Sequence, residues 1–164
     1  MSLTDQLSHA LNSNAGYSSA TPTTVTLTDP AGIEVGIDLT AVDSMSSSVR
    51  EIRINVPSLV GAGFDTLKQW AENLSNRVTY LLENIGPLEL DSAAGQVLIR
   101  SNPPNRQSGT TEFYEVLLQS HADGHFSLRR YSARQGTPGK TQVDLSVTHE
   151  VLEKLICDLV ETIP

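Results

Sequence analysis

The segment that decides the fold is FDTLKQWAENLSNRVTYLLENI, residues 64–85. Apolar residues recur in it at alternating spacings of three and four: Phe64, Leu67, Ala71, Leu74, Val78, Leu81 and Ile85. That spacing places all of these side chains on one stripe of a helix. Gly86-Pro87 follows the segment in the order typical of a helix cap and stop. The sequence therefore predicts a helix of about six turns over residues 64–85, laid on a sheet that covers its stripe.

Three alternating stretches before this helix predict antiparallel strands. Apolar and polar residues alternate over residues 24–28 and again over residues 33–39, on either side of Asp29-Pro30-Ala31-Gly32. Proline suits the second position of a turn and glycine its end, so the two stretches predict a hairpin with one dry face. Residues 52–56 alternate in the same way and predict a third strand that ends at Pro57.

The second half of the chain predicts further strands and a closing helix. The strand-like stretches are residues 88–90, 97–99, 113–118, 126–131 and 143–147. An Asp-Gly pair at residues 123–124 predicts a tight hairpin between the third and fourth of them. Thr148 is placed to cap a helix whose broad apolar face runs from Val151 to Ile163.

The N-terminal region predicts a short helix and a linker. Ser2 and Asp5 have the spacing of a capping box, which predicts a helix over residues 1–12. Residues 13–23 are mostly serine, threonine, alanine and asparagine, a composition typical of a flexible linker. A chain of 164 residues can form one domain with a substantial core. We predict a single α+β domain over residues 1–164, with an antiparallel sheet packed in two layers against the long central helix and the C-terminal helix.

The charge of the chain is negative overall and unevenly distributed. Its net charge is −8, which argues against nucleic acid and anionic membranes as partners because both attract lysine and arginine. Residues 100–140 carry six basic residues against three acids, a local charge of +3. Such polarity can serve head-to-tail pairing or the steering of a charged partner, but solvated charges on an edge hairpin are the favoured interpretation.

Cys157 is the single cysteine, so an internal disulfide is excluded and a reducing compartment is favoured. It lies among apolar residues without a histidine nearby in sequence, which favours a packed thiol over a reactive one. The N-terminus lacks a basic flank and an apolar run, and no stretch approaches the ~20 apolar residues that span a bilayer. These features predict a soluble, cytoplasmic protein.

His121, Asp123 and His125 form the most tempting candidate for a metal site. Such a site needs ligands that converge from one side and usually a third or fourth donor. Turn formation accounts for the Asp-Gly pair, and both histidines are expected in water at the tip of the hairpin. We therefore predict neither a metal nor another cofactor.

Two carboxylate pairs are candidates for acid–base catalysis: Asp38 with Asp43, and Glu89 with Asp91. Neither pair has the surroundings that raise one pKa, and all four residues are expected at solvent-facing strand positions or turns. His149 is expected at the surface in the first turn of the closing helix. The sequence contains no Gly-x-Ser-x-Gly elbow, P-loop or dinucleotide-binding fingerprint. No catalytic residue is predicted, and the protein is not expected to be an enzyme.

Aromatic and basic residues on two neighbouring predicted strands form the last candidate site. Phe113-Tyr114 lies on one strand and Arg129-Arg130-Tyr131 on the next. Alternation places Arg129 and Tyr131 on one face of the sheet and Arg130 on the other. Such a surface can stack single-stranded nucleic acid, but a structural role is favoured in an acidic chain with few aromatic residues. One arginine is expected to lie over the helix layer and pair with an acid there.

The predicted order of elements resembles the secretion-chaperone-like fold, and the small acidic chain is similar to type III secretion chaperones. This resemblance implies a homodimer that holds an extended partner segment on exposed apolar patches. The family usually has two strands in its second half, whereas about five are predicted here. The resemblance rests on element order and charge, and it assigns no site residues.

Two classes of function follow from these features. The first is a non-enzymatic protein-binding or chaperone-like module, dimeric, whose contact surface is a groove, a strand edge or the outer edge of the long helix. The alternative is a small ligand-binding or enzymatic α+β domain with a site between the sheet and the helices.

Overall fold

A computed structural model describes residues 1–81, 89–101, 106–107, 109–120 and 125–164. The described α-helices are α1 (Leu3–Ser13), α2 (Phe64–Arg77) and α3 (His149–Glu161), and a short 3-10 helix spans Pro57–Leu59. The described strands are β1 (Ser18–Thr28), β2 (Glu34–Val42), β3 (Ser46–Asn55), β4 (Glu89–Asp91), β5 (Gln96–Arg100), β6 (Arg106–Gln107), β7 (Thr110–Gln119), β8 (Phe126–Arg134), β9 (Thr141–Val143) and β10 (Leu145–Thr148).

These strands join in one antiparallel sheet with the helices on one face. The main order is β1-β2-β3-β8-β7-β5-β4, while β10 pairs with β3, β9 with β8 and β6 with β7. The helix α1 packs on α3 and β1, α2 packs on β5 and β7, and α3 packs on β10. The predicted α+β class is confirmed.

The core lies between the helices and the inner face of the sheet. Its helical members are Leu7, Leu11, Leu67, Trp70, Ala71, Leu74, Leu152, Leu155, Ile156 and Leu159. The ring of Trp70 stacks on Phe126 with 5.9 Å between centroids, and its Nε1 donates to Thr162 Oγ1 at 3.2 Å. Trp70 therefore holds α2 against β8 and against the residue that follows α3.

The central helix is shorter than the sequence predicts. α2 ends at Arg77 and residues 78–81 are not helical, so the prediction of one continuous helix over residues 64–85 is wrong. Residues 75–80 include serine, asparagine, valine, threonine and tyrosine, which all have modest helix propensity. Val78 is only 1% exposed although it lies outside the helix. The apolar spacing at Val78 therefore indicates a buried side chain and not a helical backbone. Ile85 of the predicted stripe and the predicted helix stop at Gly86-Pro87 lie outside the described residues.

A buried carboxylate ties the end of α2 to α3. Asp158 is 4% exposed and accepts hydrogen bonds from Arg77 Nε at 3.0 Å, Tyr80 Oη at 2.7 Å and Lys154 Nζ at 3.0 Å. Burial acts to raise the pKa of Asp158, but the hydrogen bonds from Tyr80, Lys154 and Arg77 outweigh it and lower that pKa. The segment that follows α2 is thus held on α3 by polar contacts rather than by further helix.

The predicted first hairpin is confirmed as β1 and β2. Asp29 Oδ1 accepts from the backbone nitrogens of Ala31 and Ile33, both at 2.9 Å, which fixes the turn between the strands. The strand β1 begins at Ser18, so residues 18–23 are strand where a flexible linker over residues 13–23 was predicted.

The helix α1 closes the outer end of β1 through a side chain. Ser2 Oγ accepts from the backbone nitrogen of Asp5 at 3.1 Å, which confirms the predicted cap. Gln6 Nε2 donates to the carbonyl of Thr28 at 2.7 Å, and Gln6 Oε1 accepts from the nitrogen of Thr28 at 3.0 Å. The amide of Gln6 therefore bonds both backbone groups of Thr28.

The stretch predicted as one strand over residues 143–147 is two strands with different neighbours. β9 pairs with β8, and β10 pairs with β3. Between them, Asp144 accepts from Arg50 Nε at 2.6 Å and from Thr40 Oγ1 at 2.7 Å. Asp144 therefore anchors the point at which the chain changes neighbour, and an alternating pattern alone does not reveal that change.

The secretion-chaperone-like order is not supported. Seven strands of the described chain follow α2, and they join the same sheet as β1, β2 and β3. The family pattern to which the sequence was likened has two strands at that place. The continuous sheet and the short α2 together depart from the predicted long helix with a chaperone-like arrangement.

Candidate functional site

The face of the sheet opposite the helices carries a row of charged side chains. Side chains alternate between the two faces of each strand, so outward residues of paired strands lie side by side. One row crosses β2, β3, β8, β7 and β5 through Asp38, Glu51, Arg129, Glu115 and Arg100. The surface formed by this row together with Arg53, Phe113, Tyr131 and Lys140 is called the open face.

The acids of the open face are recessed and its cations point outward. The side chains of Asp38, Glu51 and Glu115 are 15%, 13% and 9% exposed, whereas those of Arg53, Arg100, Arg129 and Lys140 are 38%, 46%, 42% and 37% exposed. The longer cationic side chains reach over the shorter acids. A partner therefore meets mainly cations here, although the chain as a whole has a net charge of −8.

Glu115 is saturated by two cations. Arg100 donates to Glu115 Oε1 through Nε at 3.0 Å and Nη2 at 2.7 Å, while Lys140 Nζ lies 2.6 Å and 2.7 Å from the two carboxylate oxygens. Burial acts to raise the pKa of Glu115, but the hydrogen bonds from Lys140 and Arg100 outweigh it and lower that pKa. Glu115 is thus held as a charged acceptor.

Asp38 and Arg53 form a bidentate pair on the neighbouring strands. Arg53 Nη1 and Nη2 donate to the two carboxylate oxygens of Asp38 at 2.6 Å and 2.9 Å, and Thr24 Oγ1 donates at 2.7 Å. The hydrogen bonds from Arg53 lower the pKa of Asp38 most. Gly36 leaves room for the guanidinium, because a Cβ at that position would lie 3.3 Å from Arg53 Nη2.

Arg129, at the centre of the row, has weaker contacts than the other cations. Its Nη2 lies 3.3 Å from Glu51 Oε1, and its Nη1 lies 3.5 Å from Tyr131 Oη. Glu51 is also 3.6 Å from Arg53 Nη1, so two arginines share it at long range. Arg129 Nε is buried without a hydrogen-bond partner among the described residues. Charge-assisted hydrogen bonds are usually shorter, at about 2.7–2.9 Å, so Arg129 retains unused donor capacity.

Two aromatic rings continue the open face beside these charges. Phe113 and Tyr131 stack with 6.0 Å between ring centroids. Lys140 Nζ lies 4.3 Å from the centroid of Tyr131, and the guanidinium carbon of Arg100 lies 5.4 Å from that of Phe113. The rings hold these cations above the sheet by cation–π attraction.

A cavity of about 290 Å³ opens between the charges. Its lining includes Glu51, Arg53, Glu115, Arg129 and Tyr131, with apolar contributions from Leu98 and Leu117. Arginine donors beside apolar and aromatic walls suit the binding of a carboxylate-bearing group. Within the described part of the chain, no group of three or more histidine, cysteine or acidic side chains could hold a metal ion.

The candidate residues of the second hairpin and the closing helix do not converge. His121 and Asp123 lie outside the described residues, and His125 is buried, 1% exposed, rather than in water as expected. His149 Nε2 lies 3.1 Å from the carbonyl of Ser46, so it is a contact to β3 rather than a free surface residue. Cys157 is partly buried, with Sγ 3.6 Å from Thr4 Oγ1.

The two candidate carboxylate pairs do not form acid–base sites, and their members have unrelated structural contacts. Asp43 Oδ1 accepts from the backbone nitrogens of Met45 and Ser46 at 2.8 Å and 2.7 Å, which lower the pKa of Asp43. It therefore shapes the turn after β2, while Asp38 belongs to the open face. Glu89 and Asp91 are exposed on β4, and Asp91 caps the following turn through Ala94.

The predicted division of the two arginines between faces is confirmed. Arg129 lies on the open face, whereas Arg130 Nη2 donates to Glu112 at 2.6 Å and its guanidinium carbon lies 5.1 Å from the ring centroid of Tyr114 on the other face. Sequence reasoning did not single out Glu51, Glu115 or Lys140. The sequence signal available for them was charge at outward strand positions. The ion pairs join Glu115 to partners 15 and 25 residues away and Glu51 to a partner 78 residues away.

Comparison with protein families, with curated proteins and with solved structures gave no match to this chain. No helix among the described residues is long and apolar enough to cross a bilayer.

Proposed function

We propose that this protein is a non-enzymatic protein-binding module whose contact surface is the open face. The observation that carries the proposal is the exposed cationic layer of Arg53, Arg100, Arg129 and Lys140 above recessed acids. Arginine and aromatic side chains are enriched at protein interfaces, and both kinds line this surface. A cytoplasmic location belongs to the same proposal, because the single Cys157 requires no oxidising compartment.

The ionisation of the open face favours binding over acid–base chemistry. Hydrogen bonds from neighbouring cations lower the pKa of both Asp38 and Glu115. A general acid at neutral pH needs a carboxyl group with a raised pKa, and a general base is more effective with one near the working pH. These two carboxylates instead orient the cations above them.

The open face replaces the outer edge of the predicted long helix as the proposed contact surface, because α2 ends at Arg77. Leu67, Ala71 and Leu74 of its apolar stripe are 0% exposed in the protein's own core, so they are not available to a partner. A homodimer is retained as one form of the proposal, because the cationic open face opposes an otherwise acidic molecule. Light scattering at several concentrations measures whether a second copy binds.

The test compares Arg129 with Arg130, two adjacent arginines that lie on opposite faces of the same strand. Immobilised wild-type protein and the variants Arg129→Ala and Arg130→Ala are used to capture proteins from native lysate, with circular dichroism to verify folding. We expect a specific partner that is retained by wild type and Arg130→Ala and lost by Arg129→Ala. Equal capture by all three proteins contradicts a contact through the open face.

Small-ligand binding is a second candidate, favoured by the cavity beside Arg129. Its volume of about 290 Å³ lies at the lower end of pockets that hold whole ligands, about 300–1,000 Å³. This cavity is on the open face, whereas the sequence-based alternative placed the site between sheet and helices. Calorimetric titration with small dicarboxylates, with Arg129→Ala as control, tests this candidate.

A further inference from the structure

We infer that the occupant of the open face is an extended acidic segment of a partner protein, anchored by a carboxylate on Arg129. This inference rests on the proposed function, and it adds the chemistry of the partner. The hydrogen bonding of Arg129, the charge of the open face and the spacing of its row support it.

Arg129 is the anchor because its donors are the least committed. Arg53 and Arg100 each donate twice to one carboxylate at 3.0 Å or less, and Lys140 contacts Glu115 at 2.6 Å and 2.7 Å. Arg129 instead makes contacts of 3.3 Å and 3.5 Å through its terminal nitrogens. Each terminal nitrogen of a guanidinium has two donors, so an incoming carboxylate can take a bidentate bond from Arg129 Nη1 and Nη2 without breaking a short ion pair.

Charge complementarity selects an acidic partner. The open face holds four cations and three acids, a local charge of +1, and the rest of the chain then carries −9. Incoming carboxylates therefore meet a net positive charge at this surface and a net negative charge over the rest of the chain, which favours their binding at the open face. A long polyanion such as nucleic acid would need many more unpaired cations than this face offers.

The spacing of the row suits an extended chain. Glu115 is paired directly with Arg129 on one side and with Arg100 on the other, so the two arginines are two strand spacings apart. That distance is about 10 Å, which about three residues of extended chain cover. A segment crossing the strands can thus place one acid on Arg129 and another near Arg100, while the cavity accepts the intervening side chain.

The experiment measures fluorescence anisotropy of a labelled peptide of about six residues, the length that spans the row, with glutamate at alternate positions. The matched probe carries glutamine in place of each glutamate. We expect the glutamate peptide to bind wild type and Arg130→Ala equally and Arg129→Ala at least about tenfold more weakly, with partial recovery in Arg129→Lys. Binding should weaken as salt is added.

The inference is overturned by equal binding of the glutamine peptide, by equal binding by Arg129→Ala, or by no binding up to about 1 mM peptide. Free glutamate that binds as tightly as the peptide would also overturn it in favour of a small ligand. If the peptide fails while a captured protein still depends on Arg129, the protein-binding function stands with a partner that is not acidic. If both fail, the open face is not the contact surface.

Discussion

His125 lies directly before β8 and is buried, and its Nδ1 accepts a hydrogen bond from the backbone nitrogen of Val56 at 3.0 Å. Burial lowers the pKa of His125 below its ordinary value of 6.5. The folded protein therefore favours the neutral imidazole, whereas the unfolded chain takes up a proton near pH 6.5. The stability contributed by His125 is fully present above that pH and is lost as the pH falls through the folded-state pKa.

We expect urea unfolding to show a lower free energy of unfolding at about pH 5.5 than at about pH 7.5 for the wild-type protein. The variant His125→Asn keeps a neutral acceptor near the Nδ1 position and should be less sensitive to this change of pH. The control His9→Gln removes an exposed histidine and should behave as wild type. Equal pH dependence of wild type and His125→Asn would contradict the assignment.

Leu74 tests whether α2 covers the sheet. Its side chain is 0% exposed, so Leu74→Ala removes buried methyl groups and leaves a cavity. We expect the free energy of unfolding to fall by about 2–5 kcal/mol in urea titrations. Leu90→Ala is the matched control because Leu90 is 49% exposed, and a loss under about 0.5 kcal/mol is expected there. A similarly small loss for Leu74→Ala would refute the proposed packing of α2.

At the scale of elements, the carboxylate of Asp158 decides how α2 is joined to α3. The variant Asp158→Asn keeps the shape but removes the charge that three donors share, so we expect a loss of about 1–3 kcal/mol near pH 7. Because the folded-state pKa of Asp158 is lowered, its contribution disappears as the pH falls below about 4 and through that lower pKa. Wild type and variant should therefore converge in acid, as measured by denaturant unfolding.

Glu153→Gln provides the control for this experiment. Glu153 is an exposed acid on the same helix, so its substitution changes the net charge equally without breaking the buried contacts. The control should stay within about 0.5 kcal/mol of wild type. If both variants lose the same stability, the loss is a general charge effect and the joint at Asp158 is not responsible.

The sequence was sufficient to predict those elements that are determined by residues close together in the chain. The hairpin of β1 and β2 follows from alternation and from Asp29, whose side chain bonds the turn itself. The end of α2 could not be predicted from the apolar stripe, since Val78 remains buried after the backbone leaves the helix. The division at Asp144 depends on Arg50, which is 94 residues away in sequence. Hydrophobic spacing reports which side chains are buried, not where each element ends.

The candidate site shows the same limit. Alternation alone placed Arg129 and Arg130 on opposite faces, because side-chain direction on a strand is a local property. Arg129 forms its ion pair with Glu51 on β3, and this contact requires β3 and β8 to be neighbours in the sheet. Strand order is set by the whole core, so the row of charges could not be assembled from the sequence.

At the scale of the whole molecule, the sheet is open and its described order ends at β1 and β4. The strand β4 has three residues, whereas β1 has eleven and is the longer template for a foreign strand. The amide of Gln6 bonds the backbone nitrogen and carbonyl of Thr28 in that strand. A side chain from α1 thus takes the place that another strand's backbone would occupy.

We expect the contact between Gln6 and Thr28 to oppose edge-to-edge association through β1. We expect Gln6→Ala to increase slow self-association on gentle warming, followed by light scattering and by thioflavin T fluorescence, because the freed groups of Thr28 can pair with another chain. Gln69→Ala, an exposed glutamine on α2, is the matched control and should remain as soluble as wild type. If the Gln6 variant stays as soluble as its control, the prediction is wrong and the contact between Gln6 and Thr28 does not limit association through β1. If the Gln6 variant does associate, one side-chain amide near the N-terminus limits the concentration at which the sheets of two molecules join edge to edge.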